Sequence, residues 1–99
     1  MAVIAHVVLR GIDPASYDKV RAECGWLDDH PEGGIAHLTY WEGADSHNID
    51  AWESEAAFAT FGESRLGPAM ARAGVAVEPE VTFYPAHEVF LPRAVTLIT

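Results

Sequence analysis

The segment His37–Ser54, HLTYWEGADSHNIDAWES, decides the fold of this 99-residue chain. Residues 35–41 and 47–52 alternate in polarity as strands do, and the EGADS between them is short enough for a hairpin. Ser54 follows as the expected N-cap of a helix. The hairpin carries histidine, tryptophan, asparagine and aspartate where valine and isoleucine would pair more simply. Its polar residues are therefore the first candidates for function.

On the N-terminal side of the hairpin, the chain predicts one strand and one helix. Residues 2–10 are rich in β-branched side chains, which favour a strand. Asp13 followed by proline is typical of a helix start. Tyr17, Val20 and Cys24 then recur at helical spacing.

On the C-terminal side, the pattern predicts a second helix and a last strand over residues 80–90. Gly67-Pro68 should break or restart this helix, because proline removes a backbone donor, and Gly74 should end it. The buried side of the helix is predicted to carry Phe58, Phe61 and Met70.

The resulting order is strand, helix, strand, strand, helix, strand, which is the ferredoxin-like βαββαβ order of an α+β sandwich. Residues 1–90 are predicted to form one domain, because a chain of this length suits a single core. With both helices on one sheet face, the other face needs a cover, which predicts a homodimer. Residues 91–99 form an apolar tail that is expected to pack on the dimer partner.

Composition restricts the possible partners. The formal net charge is −9, with fifteen acidic against six basic side chains, so nucleic acids and anionic membranes would be repelled. Cys24 is the single cysteine, which excludes an intramolecular disulfide and fits a reducing cytoplasm. No segment approaches the roughly 18 apolar residues of a membrane span. A neutral aromatic ligand is compatible with all of these features.

Three segments resemble a known family: IDAWESEAAFATF at 49–61, RLGPAMARAGV at 65–75 and FYPAHEVF at 83–90. They are similar to the dimeric α/β-barrel proteins of the antibiotic-biosynthesis-monooxygenase type, and the resemblance spans about residues 3–90. It implies that two ferredoxin-like protomers pair through their sheets. It also implies a pocket between each sheet and its helices, a small hydrophobic or aromatic substrate and, in the anthrone oxygenases, no cofactor.

Side-chain alternation splits each strand into two sets. In the first strand, Val3, Ala5, Val7 and Leu9 are apolar, and the alternate set containing His6 is mixed. We expect the mixed sets of three strands to share one face, an assumption about register that a one-residue slip would reverse. The residues that would then converge are His6, His37, Thr39, Asn48, Asp50 and Trp52.

The resemblance to cofactor-free oxygenases implies an electron-rich aromatic substrate that loses a proton, and these residues suit that step. His37 is the first candidate for the base and His6 the second, with Asp50 orienting the imidazole. Asn48 and Trp52 lie four apart, about 13 Å along one strand face, and resemble an asparagine and a tryptophan implicated in catalysis in the anthrone oxygenases. Asn48 could donate a hydrogen bond to an enolate oxygen, and Trp52 could stack on a flat ring.

Other residues complete the predicted site. Substrate contacts are expected from Trp41, Thr39, Tyr84 and His87. His6, His37 and Asp50 could in principle hold a non-haem iron, but no HxH, HxxxH or HxD pair supports a metal site, and none is predicted. Relatives that degrade haem bind it through a histidine on the second helix, and residues 55–73 contain no histidine, so the resemblance implies no haem site.

The resemblance implies a small enzyme of aromatic polyketide secondary metabolism that oxygenates an anthrone-like substrate without a cofactor. Two alternatives to this oxygenation stay open. The asparagine that the anthrone oxygenases carry on the first strand has no clear counterpart, because His6 occupies that place. This leaves room for cyclisation of a polyketide-like substrate by histidine acid–base catalysis. The polar face could instead be a wet dimer interface or a solvated surface, in a non-catalytic barrel that binds a small ligand.

Overall fold

The computed structural model describes residues 1–93 and 95–98. Its elements are β1 (Val3–Leu9), α1 (Pro14–Cys24), β2 (Gly34–Glu42), β3 (Asp45–Trp52), α2 (Glu55–Phe61), a π-helical turn (Gly62–Leu66), α3 (Gly67–Arg72) and β4 (Glu80–Pro85). The four strands form one antiparallel sheet in the order β2-β3-β1-β4. This is the ferredoxin-like α+β arrangement, as predicted.

The ends of α1 follow from local sequence. The carboxylate of Asp13 accepts a hydrogen bond from the Ser16 backbone N–H at 2.8 Å, and Pro14 opens the helix. Gly25 ends it with φ of +69°, a left-handed conformation that glycine adopts without strain, and its N–H bonds to the Arg21 carbonyl. The predicted helix start is confirmed.

The second helical region restarts in its middle, as the proline predicted. Ser54 caps α2 by accepting from the Ala57 N–H at 3.0 Å. A π-helical turn follows, in which the Gly67 N–H bonds to the Gly62 carbonyl five residues earlier. The wider turn precedes Pro68, which lies in the first turn of α3 where its missing N–H costs no helical bond.

The sheet separates two faces, which we name the covered face and the open face. On the covered face, alternate residues of β1 pack against the helices, and the buried cluster there includes Ala5, Val7, Trp52, Phe61 and Met70. The open face has no helix over it in the described chain, and it exposes Leu38, Tyr40 and Tyr84. One face therefore makes the core, and the other carries no helix and mixes exposed side chains with the buried Val8, His47 and Ala51.

The strand register corrects one sequence prediction. Asn48 and Asp50 lie opposite Val7 and Ala5, so the polar set of β3 shares the covered face with the apolar set of β1. His6 lies opposite Ile49, on the open face. The assumed register was right between β2 and β3 and wrong by one residue for β1, which moves every β1 side chain to the other face.

The last strand is shorter than predicted. It ends at Pro85, not at residue 90, because its partner β1 begins at Val3, directly opposite Pro85. One further backbone bond joins the Ala86 N–H to the Ala2 carbonyl at 3.0 Å. Tyr84 lies opposite Ile4 and is therefore on the open face, away from His37.

The C-terminal tail has no helix or strand among its described residues. Val95, Leu97 and Ile98 are all exposed. Ala94 and Thr99, which belong to the predicted tail, lie outside the described residues. Packing of the tail on a partner stays a prediction. No helix in the described ranges is long and apolar enough to cross a membrane.

Candidate functional site

A chain of hydrogen bonds on the covered face runs from the core to the surface. The Trp52 indole N–H donates to Asp50 Oδ2 at 3.2 Å. The other carboxylate oxygen, Oδ1, lies 2.7 Å from His37 Nδ1. The Tyr17 hydroxyl oxygen lies 2.7 Å from His37 Nε2. Because a carboxylate only accepts, this network assigns the proton of a neutral His37 to Nδ1 and leaves Nε2 as its basic nitrogen.

The β2–β3 hairpin brings these groups together. His37 is directly opposite Asp50, and Thr39 is directly opposite Asn48. Opposite residues of an antiparallel pair project to the same side with β-carbons about 4.5–5.5 Å apart, within hydrogen-bond reach of their side chains. The predicted convergence of these four residues is therefore observed.

A second branch leads from Tyr17 into the sheet. Thr39 Oγ1 lies 2.8 Å from the Tyr17 hydroxyl and donates to Asn48 Oδ1 at 2.8 Å. The Asn48 amide nitrogen donates to the Val7 carbonyl at 3.1 Å and to Ser46 Oγ at 3.2 Å. Both donors of this buried amide are engaged within the protein. In this conformation Asn48 orients Thr39 and has no free donor for a ligand.

Aromatic rings surround His37 on its accessible side. The Trp26 ring centre lies 5.1 Å from that of His37, and the Tyr17 ring packs edge-on against both Trp26 and Trp41. The His37 side chain is 34% exposed, whereas that of Asp50 is 10% exposed. The imidazole is therefore the part of the pair that a ligand can reach, and its carboxylate is shielded behind it.

A shallow cleft adjoins this aromatic group. Its volume is about 390 Å³, and it is lined by Trp41, residues 11–14 and residues 43–44. Trp41 is both a wall of the cleft and a neighbour of Tyr17, at 6.1 Å between ring centres. His37 and Tyr17 do not line the cleft, and Trp41 connects it to them.

Burial changes the proton affinity of the Tyr17 phenol. It raises the pKa of Tyr17 above the ordinary value of 10.0, with the Thr39 hydrogen bond acting in the opposite direction. At neutral pH the phenol therefore keeps its proton and can donate one hydrogen bond.

Trp52 occupies a place other than the expected one. It is 4% exposed and belongs to the hydrophobic core, where its ring packs against Phe58 and Phe61. Its predicted stacking on a substrate does not fit this position. Its indole N–H instead fixes the Asp50 carboxylate. Trp41, also predicted to bind substrate, is the tryptophan that reaches the cleft.

Sequence reasoning missed Tyr17 and Trp26 as site residues. Tyr17 entered the prediction only through the helical spacing of α1, and Trp26 lies in the turn after that helix. Helical spacing does indicate that Tyr17 faces the sheet. A hydroxyl on the side of the helix that faces polar strand residues could have indicated a role for Tyr17 in the site. That inference would have required the correct pairing of the strands.

Three predicted residues are absent from this cluster. His6 lies on the open face, where its Nε2 is 3.0 Å from His47 Nδ1. Tyr84 is exposed on the same face, and His87 is exposed beyond the end of β4. His6 is separated by the sheet from His37, so the iron-binding alternative is not assembled. Within residues 1–93 and 95–98, no group of three His, Cys, Asp or Glu side chains is placed to hold a metal.

Comparison with solved structures supports the fold. No protein-family model matches the chain, and no curated protein matches it in sequence. A protein of unknown function from Nitrosomonas europaea superposes with a TM-score of 0.70 at 16% identity, over 94% of this chain and 96% of that chain. Two characterised structures are similar at lower scores.

The first is SnoaB, a cofactor-independent oxygenase from Streptomyces nogalater, with a TM-score of 0.60 and 20% identity over 93% of this chain and 97% of that one. The second is the monooxygenase from the gene ActVA-Orf6 of Streptomyces coelicolor, in complex with nanaomycin D, with a TM-score of 0.60 and 21% identity over 93% of each chain. The fold is thus the one found in antibiotic-biosynthesis-monooxygenase-like proteins, as the sequence resemblance implied.

Proposed function

We propose that the protein is a homodimeric, cofactor-independent oxygenase that acts on an anthrone-like aromatic substrate with His37 as its base. The observation that carries the proposal is the 2.7 Å contact between His37 and the shielded Asp50, next to the aromatic rings of Tyr17 and Trp26. Support comes from the fold, which resembles that of a cofactor-independent oxygenase. An imidazole backed by a carboxylate has the orientation that a general base requires.

The reaction begins with proton abstraction. Nε2 of His37 takes a proton from the acidic carbon of the substrate, and the electron pair of that C–H bond moves into the enolate. Asp50 accepts the Nδ1–H throughout, so it stabilises the imidazolium that forms. Trp52 holds the second carboxylate oxygen of Asp50 and keeps the carboxylate in place.

The electron-rich carbanion then reduces dioxygen. One electron passes to oxygen, and the two radicals combine into a carbon-bound peroxide that the His37 imidazolium protonates. Loss of the second hydrogen from the same carbon cleaves the O–O bond and gives a carbonyl and water. Overall, a CH₂ group and O₂ become a C=O group and H₂O, so no other reductant is needed.

The substrate site is built from flat surfaces. Trp26, Trp41 and Tyr17 present aromatic rings near His37, which suits a fused-ring ligand. The chain is strongly acidic, with a net charge of −9, which favours a neutral ligand over an anionic one.

A second copy of the chain is proposed to cover the open face. Leu38 and Tyr40 are exposed there, next to the buried His47. In this proposal residues 1–90 form the folded unit, and the apolar tail from residue 91 packs on the partner. The pocket lies on the covered face, so each protomer carries its own site.

Ring closure of a polyketide is the second candidate function. The observation that favours it is the engagement of both Asn48 donors inside the protein, which leaves a histidine acid–base site with no group specific to oxygen. The same His37 and Asp50 would then enolise one carbonyl and protonate the product of the carbon–carbon bond formation.

Oxygen uptake with a simple anthrone tests the oxygenase. Purified protein treated with a chelator should consume oxygen, and His37→Ala should lower kcat/KM by about 10²–10⁴-fold, the usual contribution of a general base. His6→Ala is the matched control, because it removes a histidine from the other sheet face and should change little.

Each failure has a distinct meaning. Uptake that chelation abolishes would contradict cofactor independence. No uptake by the wild-type protein would exclude the oxygenation of anthrones, and cyclisation of a linear polyketide analogue would be assayed with the same two variants.

A further inference from the structure

We infer that Tyr17 is a second catalytic residue of this site, whose hydroxyl caps the basic nitrogen of His37 at rest and moves its hydrogen bond to the substrate's enolate oxygen during proton abstraction. The inference rests on the proposed proton abstraction by His37, and it assigns the oxyanion donor that this step needs. Asn48, the donor expected from the sequence, has both amide hydrogens bonded within the protein.

A count of hydrogens identifies the donor. Tyr17 oxygen, Thr39 Oγ1 and His37 Nε2 form a triangle with sides of 2.7, 2.8 and 3.1 Å. With neutral His37, the Nδ1–H is directed to Asp50, and the Thr39 hydrogen is directed to Asn48. The phenolic hydrogen is then the single hydrogen left for the triangle, and the shortest side places it between Tyr17 and His37 Nε2.

This arrangement blocks the base in the ligand-free protein. Nε2 has one lone pair, and the Tyr17 O–H occupies it. A substrate proton can reach that lone pair only when the Tyr17 oxygen, which lies 2.7 Å from Nε2, is displaced from it. A stronger acceptor next to Tyr17 would draw the hydroxyl aside and release Nε2.

A developing enolate is such an acceptor. Hydrogen bonds to an ionised oxygen are about twice as strong as neutral ones. The Tyr17–His37 contact is solvent-exposed, and Trp41 joins it to the cleft. A substrate that extends from the cleft past Trp41 to the Tyr17 hydroxyl would bring its carbonyl oxygen to Tyr17 and its acidic carbon near Nε2.

Protonation of His37 extends the hydrogen-bonded chain to the enolate. Once Nε2 carries the substrate proton, it can donate to the Tyr17 oxygen, while the Tyr17 O–H donates to the enolate. The proton moves from carbon to Nε2, the electron pair of the C–H bond stays in the enolate, and no oxidant takes part. Burial raises the pKa of the Tyr17 phenol, so it remains a donor at neutral pH.

Hydrogen–deuterium exchange isolates this step from oxygen chemistry. Under argon in D₂O, NMR would follow exchange at the acidic carbon of anthrone with wild-type protein, Tyr17→Phe and Tyr40→Phe. Tyr17→Phe should lower the catalysed exchange by about 10²–10³-fold, the effect of removing one oxyanion donor. Anthrone binding, measured by fluorescence quenching, should persist because the ring remains. Tyr40→Phe removes the same hydroxyl from the open face and should exchange like wild type.

A second readout needs no substrate. In ligand-free protein, the ¹⁵N resonance of His37 Nε2 should move in Tyr17→Phe and stay in Tyr40→Phe, because only the former loses the capping hydrogen bond. The amide spectrum of the same samples reports whether each variant is folded.

The outcomes separate this inference from the proposed function. Wild-type exchange without oxygen uptake, together with loss of exchange in Tyr17→Phe, would support the inference and refute the oxygenase. Wild-type exchange rates in Tyr17→Phe, or an unmoved Nε2 resonance, would overturn the inference alone. Wild-type protein that exchanges anthrone no faster than buffer would overturn both.

Discussion

The two faces of the sheet each carry a histidine cluster, and they differ in what lies behind the imidazole. On the covered face, His37 has a carboxylate at 2.7 Å, and that carboxylate is itself fixed by the Trp52 indole. On the open face, His6 contacts another histidine, His47, at 3.0 Å. The first arrangement can stabilise a positive charge on the imidazole, whereas the second would place two positive charges side by side.

The same contrast holds for hydrogen bonding. On the covered face, hydrogen bonds connect the core to the surface through Asp50, His37 and Tyr17. On the open face, His47 Nε2 is buried without a hydrogen-bond partner among the described residues, and Glu42 Oε1 lies 3.6 Å away. The network of the covered face is therefore complete, whereas His47 Nε2 on the open face leaves room for one more hydrogen-bond partner.

The largest expected effect is on the stability of the fold, and it comes from Trp52, the buried end of the hydrogen-bonded chain on the covered face. Trp52→Ala should lower the free energy of unfolding by about 3–5 kcal/mol, because it leaves a cavity in the core. Urea denaturation followed by circular dichroism would measure the loss. Trp52→Phe is the control: it keeps an aromatic ring against Phe58 and Phe61 but removes the indole donor to Asp50.

Trp52→Phe should therefore be more stable than Trp52→Ala and still reduce activity, because Asp50 Oδ2 loses its donor. A Trp52→Ala variant as stable as the wild type would show that the ring is not part of the core. Full activity in Trp52→Phe would show that the indole does not hold the carboxylate for catalysis.

The open face offers the next largest effect, on assembly. Leu38 is 63% exposed on the open face, and Leu27 is 45% exposed in the turn after α1. Leu38→Asp should raise the dissociation constant of the proposed dimer by about tenfold or more, as expected for losing one buried leucine and gaining an unpaired charge at an interface. Sedimentation velocity at several concentrations would measure it.

Leu27→Asp is the matched control for that experiment. It makes the same chemical change at a leucine outside the sheet, so assembly should stay as in wild type. Equal dissociation of both variants would mean that the open face is not the dimer contact.

The sequence predicted the elements well because their signals are local. The Asp13 cap, the Ser54 cap and the restart at Pro68 depend on neighbouring residues only. The pairing of His37 with Asp50 was also predictable, because a short hairpin fixes the register of its own two strands. These parts of the fold and site need no information from distant segments.

Most of the errors involve contacts between distant segments. β1 pairs with β3 across about forty residues, and a slip of one position moved His6 from the open face to the predicted site. Tyr17 joined the site from a helix, whose position over the sheet follows from core packing that the sequence pattern does not specify. The length of β4 was overestimated for the same reason, since it depends on where β1 begins.

The smallest expected effect is a loss of stability in alkali that originates on the covered face. Burial raises the pKa of Tyr17 above its ordinary value of 10.0 and that of Cys24 above 9.0. In each case the folded chain holds the proton at a pH where the unfolded chain has lost it. Stability from these groups is therefore complete below the unfolded pKa and falls as the pH rises through the folded pKa.

The urea midpoint should accordingly decrease above about pH 9, first through Cys24 and then through Tyr17. Cys24→Ser removes a titrating group without removing its polarity and should flatten the lower part of this slope, and Tyr17→Phe should flatten the upper part. Both residues lie on α1. If each acts only through its own burial, their effects should add in the double variant. A urea midpoint that falls with the same slope in the double variant as in wild type would mean that other groups cause the alkaline loss of stability. It would also show that the Tyr17 phenol is as well solvated in the folded as in the unfolded chain, which would weaken its assignment as the neutral donor beside His37.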